Sequence, residues 1–342
     1  MKNRILQKEK LPEFLEGLMA RNRVIAPVEE GDHSVYRPLE KAGDLCLDYI
    51  RPRMSAKEVF FPQNEVMFYY NKRTQKMAEP EDAPQSTVLF GVPSCDLAGI
   101  EAQDRLFRTG DYQDPYYEKK RGNAVIIGMG CPEPEETCFC HHFGIERLAS
   151  NFADLFFVPL EEKYYIQVNT TKGDELVQEL QQAQAGDEEK VKQLREKPVE
   201  FSGEPVPLQD LVRAMPENFK ADFWDDLAMK CIGCAACTFV CPTCHCFDIT
   251  DEGKRELGRR VRTWDGCMFP KFTLHASGHN PRTSAGQRVR QRVLHKFSYF
   301  RDNQGVISCT GCGRCIEVCP TGMDIRDILK AIAGEVLKKK KK

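Results

Sequence analysis

The stretch CIGCAACTFVCP, residues 231–242, holds four cysteines at the spacing C-x2-C-x2-C-x3-C, followed by proline. A second stretch, CTGCGRCIEVCP at 309–320, repeats this spacing. In such a run the first three thiolates bind one iron–sulfur cube, and the fourth ligates the cube of the other run. The two runs therefore predict a two-cluster domain whose ligands cross over between them.

The crossover assigns four cysteines to each predicted [4Fe-4S] cluster. Cluster one takes Cys231, Cys234, Cys237 and Cys319. Cluster two takes Cys309, Cys312, Cys315 and Cys241. Small residues inside the loops, such as Gly233 and Gly311, allow backbone amides to approach the sulfides and tune the reduction potential. A pair of zinc sites is the alternative, but tetrahedral zinc needs neither the third cysteine nor the trailing Cys-Pro of each run.

Composition restricts the class of protein. The chain has 342 residues, which favours two domains, and its formal net charge of -2 gives no basic footprint for nucleic acid. The longest apolar runs are too short to span a bilayer, and the N-terminus is typical of an amphipathic helix rather than a signal peptide. These features predict a soluble cytoplasmic protein, in which sixteen cysteines indicate metal or redox chemistry rather than disulfides.

The N-terminal part, residues 1–200, predicts an α/β adaptor domain. TVLFG (87–91) and NAVIIGMG (123–130) are apolar runs, separated by CDLAGIEAQDRLF (95–107), which has helical periodicity. The order strand, crossover helix, strand implies a parallel strand pair. DLFFVPL and KYYIQVN, which flank an EEK turn, predict a hairpin.

The C-terminal part predicts a different architecture. Residues 201–222 are interpreted as a linker, 223–335 as an α-helical ferredoxin domain, and 336–342 as a solvated lysine tail. The 67 residues between Cys241 and Cys309 are predicted to be helical, because strand signals nearly vanish there. The predicted fold class is therefore multi-domain α+β, with an N-terminal α/β domain that contains a parallel strand pair and a C-terminal α-helical ferredoxin domain.

Four further cysteines predict a third metal site in the α/β domain. Cys95 follows the first strand of the parallel pair and Cys131 follows the second, and the carboxyl ends of parallel strands meet at one edge of a sheet. The segment CPEPEETCFC adds Cys138 and Cys140, with Asp96 as an oxygen ligand or a neighbour of the ligands. Three interpretations of this group are open: a third iron–sulfur cluster, a zinc ion, or buried thiols that bind no metal.

Other candidate features carry weaker signals. Cys244, Cys246 and Cys267 exceed the two-cluster ligand set and are interpreted as buried thiols. A sensor role beside cluster two and ligation of a partner's cofactor are the alternatives. His141 and His142 are interpreted as a solvated pair. The cations of QRVRQRVLHKF would favour a reduced cluster, contact another subunit or form a solvated face. No G-x-G-x-x-G and no P-loop occur, so no dinucleotide site is predicted.

Several segments, in this order along the chain, resemble one group of iron–sulfur proteins. They are FGVPSCDLAGIEAQDRLF, DPYYEKKRGNAVIIGMGCPEPEETCFC, CIGCAACTFVCPTCHCFD, RTWDGC, SGHNPR and QRVLHKF. Together they resemble the β subunit of cytoplasmic [NiFe] (sulf)hydrogenases. The related iron–sulfur subunits of anaerobic sulfite reductases and of flavin oxidoreductase–heterodisulfide reductase assemblies share the pattern.

The resemblance implies a non-catalytic electron-transfer subunit. It would relay electrons between a flavin subunit that handles NAD(P)H and a catalytic partner, with a hydrogenase as the first choice. A heterodisulfide reductase complex and an anaerobic sulfite reductase are the alternatives. No bond-breaking site is predicted, because the chemistry belongs to cofactors and neighbouring subunits. A zinc-stabilised binding module is the rival from another class.

Overall fold

The computed structural model describes residues 2–49, 51–80, 86–201 and 208–340. The chain forms two compact units whose segments alternate along the sequence. Unit one consists of Met1–Phe60, Ala83–Ser202 and Thr310–Cys312. Unit two consists of Phe61–Asp82, Gly203–Cys309 and Gly313–Lys342.

Strands and helices are distributed over the whole described chain. The strands are β1 Arg4–Gln7, β2 Arg23–Glu30, β3 His33–Pro38, β4 Asn64–Asn71, β5 Lys76–Ala78, β6 Thr87–Pro93, β7 Ala124–Met129, β8 Leu155–Pro159, β9 Lys163–Val168, β10 Gln181–Gln182, β11 Phe247–Lys254 and β12 Leu257–Trp264. The helices are α1 Leu11–Met19, α2 Ser94–Phe107, α3 Pro115–Gly122, α4 Thr171–Val177, α5 Ala185–Glu196, α6 Leu208–Ala214, α7 Phe223–Leu227, α8 Ala236–Phe239, α9 Ala285–Leu294, α10 Phe300–Gln304, α11 Arg314–Glu317 and α12 Ile325–Lys340. A π-helix, His295–Tyr299, joins α9 to α10.

Unit one is built on an eight-stranded sheet with the strand order β10-β1-β9-β8-β7-β6-β2-β3. Strands β2, β6, β7 and β8 run parallel to one another, and antiparallel strands extend both flanks. The parallel strands β6 and β8 are buried almost throughout, as expected for strands covered on both faces. The predicted parallel pair is confirmed as β6 and β7, which α2 and α3 connect, and the predicted hairpin is β8–β9.

Helix α2 approaches the sheet closely because β7 carries Gly128. A Cβ at this position would lie 2.6 Å from Phe156 Cδ2 and 2.9 Å from Leu97 Cδ1, both too short for real contacts. The missing side chain lets the first turn of α2 pack against β7. This contact fixes Cys95, two residues before Leu97, at the carboxyl end of the parallel strands.

Unit two contains a four-stranded antiparallel sheet with the order β11-β12-β4-β5. Buried Arg262 on β12 forms an ion pair of 2.5 Å with Glu65 on β4. Its guanidinium carbon also lies 5.0 Å from the ring centroid of Phe61 and 5.5 Å from that of Phe247. These contacts join two segments that are distant in sequence.

The insert between the two cysteine runs differs from the predicted helical segment. Its first half is the hairpin β11–β12, and its second half contains α9, the π-helix and α10. The prediction of a helical insert is therefore wrong for the first half. Strand β11, FDITDEGK, is exposed along its whole length, so it carries no apolar alternation that would reveal a strand. Its order comes from pairing with β12.

The predicted linker is also partly helical. Residues 202–207 lie outside the described part of the chain, but α6 begins directly after them. Leu211, Val212 and Met215 are buried. The C-terminal half of the predicted linker, 201–222, thus contributes apolar side chains to the core of unit two.

The domain boundaries and the lysine tail differ from the sequence-based assignment as well. Strands β4 and β5 belong to unit two, although both lie within the predicted N-terminal domain. Helix α12 continues to Lys340 inside the predicted tail, and 341–342 lie outside the described residues. No helix in the described ranges is long and apolar enough to cross a membrane.

Candidate metal centres

The predicted ligands of cluster one line a common cavity in unit two. Three of them come from the first cysteine run and one from the second: Cys231, Cys234, Cys237 and Cys319. The wall also includes Cys315, Val289 and Met268. The structure therefore brings together the four thiols that the crossover arrangement requires.

The two cysteine runs repeat their backbone conformation as well as their spacing. Gly233 and Ala235 in the first run have φ values of 70° and 60°, and Gly311 and Gly313 in the second have 62° and 79°. Ala235 and Gly313 precede α8 and α11, so each run contains a left-handed turn followed by a short helix. Because Ala235 adopts this conformation despite its Cβ, the loop geometry is imposed by its surroundings.

Lys296 is buried beside the fourth cysteine of the first run. Its ammonium group donates hydrogen bonds to Cys241 Sγ at 3.1 Å, Thr243 Oγ1 at 3.2 Å and the Ser308 carbonyl oxygen at 3.0 Å. Thr243 Oγ1 also donates to the Ser308 carbonyl oxygen at 2.9 Å. Because Ser308 directly precedes the second run, these bonds hold Cys241 next to the start of that run.

Lys296 and Arg292 are cations near both predicted clusters. Burial lowers the pKa of Lys296, but the sulfur groups of Cys241, Cys244 and Cys309 raise it well above its ordinary value. Arg292 lines the cavity of cluster one, and neighbouring cysteines likewise hold its pKa above the usual range despite burial. Both side chains therefore remain positively charged.

The predicted ligands of cluster two belong to different segments of the chain. Cys309 and Cys315 belong to unit two together with Cys241, and Cys312 belongs to the short segment Thr310–Cys312 of unit one. Cys241 and Cys312 are buried, and Cys309 and Cys315 are partly buried.

The surplus cysteines lie beside the cluster ligands. A hydrogen bond to Cys241 is the main cause that raises the pKa of Cys244, and burial is the second cause. A hydrogen bond to Cys246 is likewise the main cause that raises the pKa of Cys267, and burial is again the second cause. Cys244, Cys246 and Cys267 are all partly buried.

The cysteines of the predicted third site line a single cavity in unit one. They are Cys95, Cys131, Cys138 and Cys140. The carboxylate of Asp96 instead accepts a hydrogen bond from the Ala56 amide at 3.1 Å, and Asp96 is not among the described residues that line this cavity. Across the described residues, no three or more His, Cys, Asp or Glu side chains surround a point that a single metal ion could occupy.

Burial is the main influence on the thiols of this cavity. It raises the pKa of Cys131 to about 11 and that of Cys140 to about 12, and the neighbouring thiol of Cys138 adds to both shifts. Arg147 opposes both shifts, and Arg51 opposes the burial shift of Cys138. The thiols are thus close enough to repel one another as thiolates.

The two histidines form a ring cluster outside this cavity. His141 is exposed, and its ring centroid lies 3.9 Å from that of Phe201 and 4.1 Å from that of His142. Burial, with a contribution from His142, lowers the pKa of His141. Aromatic contacts therefore account for the position of His141.

We expect Gly311→Ala to lower the iron content by at least one cluster, about four irons per chain. Gly311 has a φ of 62°, and a Cβ there would lie 2.5 Å from the Phe139 carbonyl carbon and 2.6 Å from the Cys140 amide nitrogen. Both of these atoms belong to the backbone and cannot shift without strain, so the loop that carries Cys312 must move. Iron analysis and thermal unfolding measure the effect.

Gly305→Ala is the matched control for this substitution. Gly305 has a φ of 77° but nothing within 4 Å of the added Cβ. It should lose about 1–2 kcal/mol of stability and no iron. Equal iron content in the two variants would contradict the importance of the close approach.

Comparison with known proteins supports the presence of iron–sulfur clusters in this chain. Residues 230–323, which contain both cysteine runs, match the family described as "4Fe-4S dicluster domain". The chain is 34% identical over 333 residues to sulfhydrogenase 2 subunit beta from Pyrococcus furiosus, covering 96% of this chain and 97% of that protein. No solved structure matches significantly. The resemblance inferred from the sequence is confirmed, and the chain belongs to the sulfhydrogenase β-subunit family.

Proposed function

We propose that this protein is an iron–sulfur electron-transfer subunit in which two [4Fe-4S] clusters relay single electrons. The observation that supports this proposal most directly is the cavity of unit two, which Cys319 of the second run lines together with three cysteines of the first run. The match to a dicluster family and the similarity to a sulfhydrogenase β subunit support the same reading. The proposal assigns no bond-breaking step to this chain.

Cluster one is proposed as the end of the relay that meets another subunit. Among its ligands Cys234 is exposed, whereas Cys241 and Cys312 of cluster two are buried. Ile232 and Met229, beside this loop, expose 66% and 82% of their surface. An incoming or outgoing electron would therefore pass through cluster one.

The proposed partners are based on the family relationship. The relative is named as a sulfhydrogenase subunit, which supports a [NiFe] hydrogenase as the catalytic partner, and we infer a flavin subunit that handles NAD(P)H at the other end of the relay. Unit one would serve as the adaptor. We infer that the cluster-binding part is a helical ferredoxin-type domain with the hairpin β11–β12 added to it, and helices α8, α9, α11 and α12 support this inference.

Anaerobically purified protein is expected to be brown and to contain at least about eight irons per chain. Its broad visible absorbance should bleach with dithionite, and paramagnetic resonance should show reduced clusters. Reconstituted with the flavin and hydrogenase subunits, the chain should be required for NAD(P)H-dependent hydrogen evolution. Colourless protein that carries zinc, or hydrogen evolution that proceeds without the chain, would refute the relay.

A further inference from the structure

Unit one contains a thiol-lined cavity that the dicluster relay does not use. We propose that this cavity binds a third [4Fe-4S] cluster, ligated by Cys95, Cys131, Cys138 and Cys140. The matched dicluster family begins at residue 230, so it does not include these cysteines.

The ligands are placed by the sheet and by one loop. Cys95 lies in the first turn of α2, directly after β6, and Cys131 follows β7 by two residues. Strands β6 and β7 are parallel neighbours, so their carboxyl ends deliver both thiols to the same edge of the sheet. The Cys131 amide donates to the Arg147 carbonyl oxygen at 2.9 Å, which anchors this ligand.

The arrangement of the thiols favours a cluster over a zinc ion. Four sulfurs around zinc, at about 2.3 Å from the metal, would lie roughly 3.8 Å from one another and leave no room between them. Here the four thiols line one cavity, but no three Cys, His, Asp or Glu side chains among the described residues surround a point that a single metal ion could occupy. A cube of iron and sulfide instead binds one thiolate at each of its four separate irons. Assembly would replace four thiol protons by four iron–sulfur bonds, with iron and sulfide supplied by a cluster-donor protein.

Two guanidinium groups supply the charge that such a cluster needs. A [4Fe-4S] cluster with four thiolates is an anion, and reduction makes it more negative by one charge. Arg51 and Arg147 both line the cavity. Arg51 is buried in an ion pair of 2.7 Å with Glu135, and Arg147 donates to the Cys131 carbonyl oxygen at 2.6 Å. Both cations therefore stand beside the proposed ligands.

The cavity also reaches a predicted ligand of cluster two. Cys312 lines it, and Cys138 Sγ lies 3.9 Å from the Cys312 carbonyl oxygen. The Phe139 amide donates to the Gly311 carbonyl oxygen at 2.8 Å, which holds the two loops together. The third cluster would exchange one electron at a time with cluster two, and this role, unlike the presence of the cluster, rests on the proposed relay.

The test is metal analysis of the full chain, purified anaerobically, with a double variant and a matched control. Cys131→Ala/Cys138→Ala should contain about eight irons per chain, whereas the unaltered protein and Cys46→Ala should contain about twelve. Cys46 is a partly buried cysteine of the same unit that does not line the cavity. An unchanged iron content in the double variant, or the loss of one zinc instead of iron, overturns the proposal.

If the double variant fails to fold, measurements on the unaltered protein test whether the third cluster is present. Full reduction should give three spins per chain by integrated paramagnetic resonance, and two spins with about eight irons overturn the third cluster. Cys231→Ala and Cys309→Ala test the dicluster relay separately. If neither loses iron, the relay fails while the result for the cavity stands.

Discussion

Cys319→Ala is expected to remove cluster one and to leave cluster two in place, with a loss of about four irons per chain. Cys319 belongs to the second run, but its side chain lines the cavity of Cys231, Cys234 and Cys237. Without its fourth thiolate this cluster should not survive purification. NAD(P)H-dependent hydrogen evolution by the reconstituted complex should then be abolished.

Double substitutions separate crossed from uncrossed ligation. Cys319→Ala combined with Cys231→Ala should lose about four irons, no more than either substitution alone, because both remove the same cluster. Cys319→Ala combined with Cys309→Ala should lose about eight, because two clusters disappear. The reverse pattern would show that each run binds its own cluster, which contradicts the crossover.

Lys296→Met is expected to lower the reduction potential of cluster two. The Lys296 ammonium donates a hydrogen bond of 3.1 Å to Cys241 Sγ, and a buried cation at this place stabilises the added electron. A hydrogen bond to a charged group contributes about 1.5–3 kcal/mol, and about 1.4 kcal/mol corresponds to about 59 mV for a one-electron couple. The shift should therefore amount to several tens of millivolts and at most about 130 mV.

A redox titration followed by paramagnetic resonance measures this shift, and two variants control it. Arg301→Gln removes an exposed cation that pairs with Asp302 and should leave both potentials unchanged. Lys296→Arg keeps the positive charge and should restore most of the potential. A fall of the same size in Lys296→Arg would mean that packing, rather than charge, sets the potential.

Local patterns explain what the sequence predicts well. The cysteine runs place their thiols within a few residues of one another, so their spacing alone predicts their chemistry. Strands β6 and β7 are apolar runs around a periodic helix, and the parallel pairing follows from that order. The grouping of Cys95 and Cys131 at one cavity follows for the same reason, because the two residues come shortly after these strands.

The features that the sequence does not predict depend on contacts between distant segments. Arg51 and Arg147 reach the cavity of unit one from two separate loops, and neither lies in a recognisable pattern. The hairpin β11–β12 has a polar, exposed first strand, so its order depends on β4 and on the ion pair between Arg262 and Glu65. Lys296 belongs to a basic segment that is evident from the sequence. Its hydrogen bond to Cys241 could not be predicted from the sequence, because the two residues are distant in sequence and only the fold brings them together.

The alternation of the two units along the chain limits how this protein can be taken apart. A fragment that starts at 208 would lack β4 and β5, and with them the partner of Arg262. A fragment that stops at 200 would lack Thr310–Cys312, which belongs to unit one. Gene fusion or recombination can therefore transplant this electron carrier between assemblies as a whole subunit, whereas neither half is a transferable module.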